Sequence, residues 1–133
     1  MKHRLIALII CLFASIFLFG QDGIEIVKFD HLSKDLGYVK KGSQIADIFE
    51  FENISGSEVT IDIVSTCECT EAKWTTSPIA PGKKGTIEFV FDSTKKEKEE
   101  PVDIDVYFLN INPKTENPYS VYLQYTYSYT DKN

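Results

Sequence analysis

The chain predicts an all-β domain folded as a two-sheet sandwich, and three observations carry that prediction. Beyond Gly20, apolar and polar residues alternate with period two in one stretch after another, the spacing of strands that bury one face. No segment keeps a 3.6-residue period over ten residues, so no helix is expected. Turn-forming clusters such as Asn53-Ile54-Ser55-Gly56-Ser57 and Pro78 to Gly85 separate the alternating runs. With 133 residues, 43% of them hydrophobic, the chain holds one core and is too apolar to remain disordered.

The N-terminus reads as an address. Met1-Lys2-His3-Arg4 is basic, Leu5 to Phe19 supplies 15 nearly uninterrupted apolar residues, and Gly20-Gln21-Asp22 returns to polar sequence. That is the pattern of a secretory signal peptide over residues 1–20, with the mature domain at residues 21–133. As a helix the apolar run spans about 22 Å, short of the ~30 Å hydrocarbon core, which places an uncleaved anchor second. Leu18 stands where a small residue is preferred before a cleavage site, which keeps the anchor reading open. A lipidated Cys11 is a third reading, weakened by bulky Ile10 before it and by the apolar stretch Leu12 to Phe19 after it.

Ile24 to Phe29 begins the strands, with mixed character. Asp30 to Gly37 reads as a loop, followed by a short Tyr38-Val39 segment of unassigned pairing. Phe49 and Phe51 then share one face against Glu50 and Glu52. Val59, Ile61 and Ile63 are expected inward, Thr60 and Asp62 outward; Val64 breaks this phase, as if a loop partly covered the polar side. Ile87, Phe89 and Phe91 form the buried face of the next strand, and Lys95 to Glu100 (KKEKEE) a solvated turn. Val102, Ile104, Val106 and Phe108 follow on one face, with Asp103 and Asp105 opposite. Strand alternation already accounts for that pair of carboxylates, so acid/base chemistry or a cation site is not needed to explain it. In the last strand Val121 and Leu123 set a phase that Tyr125, Tyr127 and Tyr129 continue, the pattern of a core face with hydroxyls at its rim. A sugar-stacking platform built from Tyr122, Tyr125, Tyr127 or Trp74 is the competing reading. Six or seven short strands with regular turns give an immunoglobulin-type sandwich of about seven strands.

Several of these segments carry a resemblance. Phe49-Glu50-Phe51-Glu52-Asn53, Ile61 to Ser65, Thr66-Cys67-Glu68-Cys69-Thr70, Ile79-Ala80-Pro81-Gly82 through Gly85, and Ile87 to Phe91 resemble, in order and spacing, the family called domain of unknown function 1573. The likeness runs from about Phe29 to Leu123 and includes Leu36-Gly37-Tyr38-Val39 and Asn110. It implies an immunoglobulin-like sandwich related to major-sperm-protein and abnormal-spindle/hydin domains, exported to the envelope of Gram-negative bacteria, with no established enzymatic activity. Two departures stand out. Cys67-Glu68-Cys69 replaces the family's Cys-Gly-Cys, which implies ordinary extended backbone at Glu68, and KKEKEE replaces a glycine-containing turn.

Cys67 and Cys69 share the parity of Val59, Ile61 and Ile63, so a strand continued that far aims both thiols at the core. Three readings stand. As a disulfide the pair closes a three-residue loop, for which chain entropy gives only about 1.6 kcal/mol, and extended residues two apart hold their Cα atoms ~6.6 Å apart, so closure demands a kink. As thiolates they suit a soft ion such as Cu(I); a closed zinc site wants four ligands, and beyond residue 20 the only histidine is His31. As free thiols they are small hydrophobes at a strand end.

No nucleophile elbow, phosphate loop or zinc-protease motif occurs, and Cys67 or Cys69 with His31 is the only nucleophile and base pairing on offer. Without residues 1–20 the chain has 12 basic against 20 acidic residues, a net −8. Its lysine pairs, Lys40-Lys41, Lys83-Lys84 and Lys95-Lys96, sit in acidic surroundings, which argues against nucleic acid. The expectation is a non-enzymatic, exported module with no cofactor, in the periplasm or cell envelope. It would serve a protein complex of the envelope or outer membrane, touching the membrane only through a partner or an uncleaved N-terminus. The alternative is a thiol-redox or copper protein acting through Cys67 and Cys69.

Overall fold

The strongest alternation in the sequence forms the middle of each sheet. In a computed structural model that describes residues 26–130, Phe49 and Phe51 lie on β3 (Gln44–Asn53), which pairs antiparallel with β6 (Lys84–Asp92). β1 (Val27–Phe29) flanks β3 and β5 (Thr70–Trp74) flanks β6, giving sheet A the order β1-β3-β6-β5. Sheet B runs β2-β8-β7-β4, from β2 (Ser33–Val39), β8 (Pro118–Tyr129), β7 (Val102–Ile111) and β4 (Ile61–Ser65). The expected signal peptide and Cys11 lie outside the described residues.

The core forms between the inward faces. Phe49, Phe51, Ile87, Phe89 and Phe91 descend from sheet A onto Ile104, Val106, Phe108, Leu123 and Tyr125 of sheet B, all of them buried. The phase of the tyrosine row therefore continues into the core. Tyr125 stacks on Phe89 at 4.9 Å between ring centroids, and Tyr127 lies 4.4 Å from Phe91. Each such ring adds roughly 1.5–3 kcal/mol by leaving water, and ring pairing adds ~0.5–1.5 kcal/mol.

Three expectations need correction. Among the described residues the sandwich has eight strands, because Thr70–Trp74 forms one that the sequence hides and because Ser33–Val39, expected mostly as a loop, is a strand. That strand is polar and its alternation is interrupted by a register shift between Asp35 and Tyr38, where Gly37 takes φ 70°. Its pairing with β8 is parallel. Ile63, expected inward, is 50% exposed while Val64 is buried. A register irregularity between Ile61 and Ile63 inserts one residue and inverts the faces beyond it.

The KKEKEE run is more than a solvated turn. Its side chains are mostly exposed, but the carbonyls of Lys96 and Lys98 accept the hydroxyls of Tyr129 and Tyr127, each at 2.7 Å. Glu99 also accepts the Tyr129 N–H at 2.6 Å. Exposed charge and a part-buried role in holding β8 coexist there, and composition reports only the charge.

Candidate functional site

The two cysteines sit where the chain leaves one sheet for the other. β4 ends at Ser65, the Thr66 hydroxyl donates to the Asp103 carbonyl at 3.0 Å, and β5 starts at Thr70. Between them Thr70 N–H donates back to the Cys67 carbonyl at 3.1 Å, closing a turn. The Asp92 N–H donates to the Cys69 carbonyl at 2.8 Å and ties the turn to the end of β6. The strand therefore does not continue to Cys69, and residue 68 is not extended strand. Glu68 serves in the turn without a positive φ, so the glycine of the family pattern is not required for it.

This turn brings the Cα atoms of Cys67 and Cys69 to 5.1 Å, and the two sulfurs are bonded to each other. The free-thiol reading does not describe this state, and a bonded pair has no thiolate to give a soft cation. Cys69 is buried at 2% exposure, whereas Cys67 is half-buried at the rim of the core. The Thr70 hydroxyl lies between the sulfurs and the core: its Oγ1 is 3.6 Å from Cys67 Sγ, 3.5 Å from Cys69 Sγ and 2.6 Å from the Tyr125 hydroxyl. Burial pushes the Tyr125 phenol up to about 12, against a smaller lowering by its bond to Thr70, so the phenol stays protonated across the neutral range.

His31 lies between β1 and β2, which occupy the edges opposite β5 and β4, so Cys67 and Cys69 have no base in that histidine. Among the described residues no three His, Cys, Asp or Glu side chains converge on a common point. The stacking platform is not assembled either. Tyr125 and Tyr127 are in the core, Trp74 is half-buried on sheet A, and Tyr122 stands alone of the four at 65% exposure on sheet B. Asp103 takes a 2.9 Å hydrogen bond from the Gln124 amide on the outer face.

A second region was not legible in the sequence. β2 pairs with β8 only from Gln124 to Tyr129, so the first half of β8 is held on one side by β7 and, among the described residues, by no strand on the other. The Gln124 N–H points to that second side, where it meets the Leu32 carbonyl at 3.0 Å. By alternation the N–H groups of Tyr122 and Ser120 face the same way. They overlook a groove of about 740 Å³ between β1 and β8, lined by Ile26, Val27, Phe29, Tyr119, Val121 and Tyr122 among others. Leu32, 59% exposed, stands on its rim. The one hint in the sequence is Pro118, which cannot donate to a ladder and favours a strand start or edge.

The family model described as protein of unknown function (DUF1573) matches residues 27–121. The chain belongs to this family. Within DUF1573 the shared motifs now have positions: F-x-F-x-N ends β3, the cysteine pair forms the β4–β5 crossover, and Ile79 to Gly85 leads into β6. No curated protein matches the chain.

Solved structures share the fold. The VesB protease of Vibrio cholerae superposes with a TM-score of 0.63 at 13% identity, over 78% of this chain and 32% of that one. The ASH/PapD-like domain of human CEP192 (PapD-like domain 7) gives 0.60 at 10% identity, over 81% and 87%. WR4, a C. elegans MSP family member, gives 0.57 at 8%, over 78% and 99%. The chain thus spans about a third of the VesB protease and nearly all of the other two. At such identities the likeness concerns the fold, an immunoglobulin-like sandwich of the MSP and PapD-like kind.

Proposed function

We propose that this DUF1573 domain is an exported, non-enzymatic module that binds a protein partner and serves as an accessory subunit of an assembly in a Gram-negative cell envelope. The observation that carries the binding role is the edge of β8 above the apolar groove, which no strand among the described residues covers. A partner segment laid along it as an added strand would pair with the Tyr122 and Ser120 N–H groups and place alternate side chains in the groove. Main-chain bonds supply affinity in that mode, and Phe29, Val121 and Leu32 supply the apolar contact. The envelope location rests on the basic and apolar N-terminal sequence and on the family resemblance. A start of the mature chain at Gln21, read by mass spectrometry, would support it; a product retained in the cytoplasm with Met1 intact would overturn it.

Pull-down of the tagged mature chain from envelope extract, with Ser120→Pro as the paired control, tests the binding role. The substitution deletes an N–H that faces the groove and leaves the bonds to β7, so the fold should survive, as circular dichroism can verify. A protein recovered reproducibly by the parent and at least tenfold less by Ser120→Pro supports the reading. Recovery of the parent as a bare monomer, or equal recovery by both, overturns it.

A further inference from the structure

We propose that Cys67–Cys69 is a thiol–disulfide exchange site that takes electrons from a dithiol on a partner protein, with Cys67 as the sulfur attacked and Cys69 as the sulfur that leaves. The inference is independent of the strand-addition surface, because the crossover lies on the flank of β4 and β5, away from the groove at β1 and β8.

Three observations carry it. The first is the size of the ring: a bond between residues two apart restrains so little of the unfolded chain that it contributes little as a staple. The core beneath it is already closed by aromatic packing. The second is the asymmetry of exposure. Cys67 is half-buried and Cys69 is 2% exposed, so an incoming thiolate meets Cys67 first.

The third is the hydroxyl chain. Thr70 Oγ1 lies 2.6 Å from the Tyr125 hydroxyl, 3.5 Å from Cys69 Sγ and 3.6 Å from Cys67 Sγ; with the buried, protonated Tyr125 as donor to Thr70, the Thr70 proton is free to turn to whichever sulfur becomes a thiolate. A hydrogen bond to a sulfur that is becoming a thiolate lowers its pKa and makes it the better leaving group. Nothing comparable is needed for two cysteines that only fill space.

The exchange balances as follows. A partner thiolate attacks Cys67 Sγ and forms a mixed disulfide; the Cys67–Cys69 bond breaks and its electron pair goes to Cys69 Sγ. That thiolate is held by the Thr70 hydroxyl and then protonated from water. The partner's second thiol gives its proton to water, attacks the partner sulfur of the mixed disulfide and expels Cys67 as a thiolate, which is protonated in turn. The partner dithiol ends as a disulfide and Cys67 and Cys69 as two thiols, a transfer of two electrons and two protons.

Dithiothreitol serves as the dithiol probe, with alkylation by iodoacetamide and mass spectrometry as the readout and circular dichroism as the check that the chain stays folded. The expected result is reduction of the native oxidised chain without loss of its β spectrum. Of the single variants, Cys69→Ser, which frees Cys67, should react with an aromatic disulfide reagent at least tenfold faster than Cys67→Ser, which frees Cys69. Thr70→Val should slow reduction about tenfold and Thr70→Ser should restore it. Reduction only on unfolding, faster reaction of Cys67→Ser, or a rate unchanged in a folded Thr70→Val would each overturn the proposal.

Discussion

Asn53 Nδ2 donates to the Ile79 carbonyl at 2.8 Å, a buried bond between two segments 26 residues apart in sequence. The same amide donates to the Ser57 carbonyl at 2.8 Å, and its Oδ1 accepts from both the N–H and the hydroxyl of Ser55. Its own N–H and carbonyl pair with Lys83 and Gly82. The asparagine that closes F-x-F-x-N is therefore the tie between the β3–β4 connection and the loop before β6. Asn53→Ala should cost about 2–4 kcal/mol, since several buried groups lose partners together, measurable as a lower urea midpoint with little change in slope.

Gly85 is set by close approach. A Cβ built on it would stand 2.5 Å from Ile79 Cδ1 and 2.9 Å from Phe51 Cε1, both of them buried core atoms with nowhere to go. Gly85→Ala should destabilise the domain by about 1–3 kcal/mol through overpacking. A combined Gly85→Ala/Phe51→Leu variant, read by thermal melting, should lose less than the sum of the two single changes.

How much of this was legible follows the same residues. Strands with an unbroken period, such as Val102 to Phe108, were read with their buried faces correct, and the tyrosine row was placed in the core. β2 was hidden by polar residues and by the irregularity at Gly37. β5 was hidden because its inward positions, Thr70, Ala72 and Trp74, are too unlike one another to form an apolar row. The inverted faces at Ile63 and Val64 come from one extra residue, which strand parity does not anticipate and which also voids the parity of Cys67 and Cys69 with Ile61. The cysteine pair was visible as a motif; its bond, its turn and its contact with Thr70 and Tyr125 depend on a crossover that only tertiary structure defines.

Lys34 and Asp47 close the flank of the sandwich between β2 and β3 with a 3.0 Å ion pair, and the Lys34 ammonium lies 5.5 Å from the Phe49 ring centroid. Burial alone would raise the Asp47 carboxyl, but the Ile48 N–H and Lys34 outweigh it and hold it below the usual value. A depressed carboxylate stabilises the fold above its unfolded pKa and loses that contribution as pH falls through its folded one. Asp47→Asn should therefore cost about 0.5–1 kcal/mol at pH 7, allowing for solvent screening. The difference from the parent should vanish toward pH 3, as paired denaturation curves would record.

At high pH the tyrosines govern. Burial raises both Tyr125, to about 12, and Tyr127, so the folded chain holds protons that the unfolded chain releases near pH 10. Stability is undiminished below pH 10 and falls as pH rises above it. Tyr125 alone is worth about 2–3 kcal/mol by pH 12. Phenolate absorbance should show these two tyrosines ionising together with loss of the β spectrum; ionisation in a still-folded chain would contradict this.

The position of β8 also fixes the order in which the molecule can form. It is an interior strand of sheet B, pairing with β7 on one side and with β2, far earlier in the sequence, on the other. Until residues 118–129 exist, β2 has no partner in its sheet and the core lacks Leu123, Tyr125, Tyr127 and Tyr129. Sandwich closure therefore waits for β8 to be synthesised, and non-local pairing of this kind is slow. A chain built this way stays open until residues 118–129 join it.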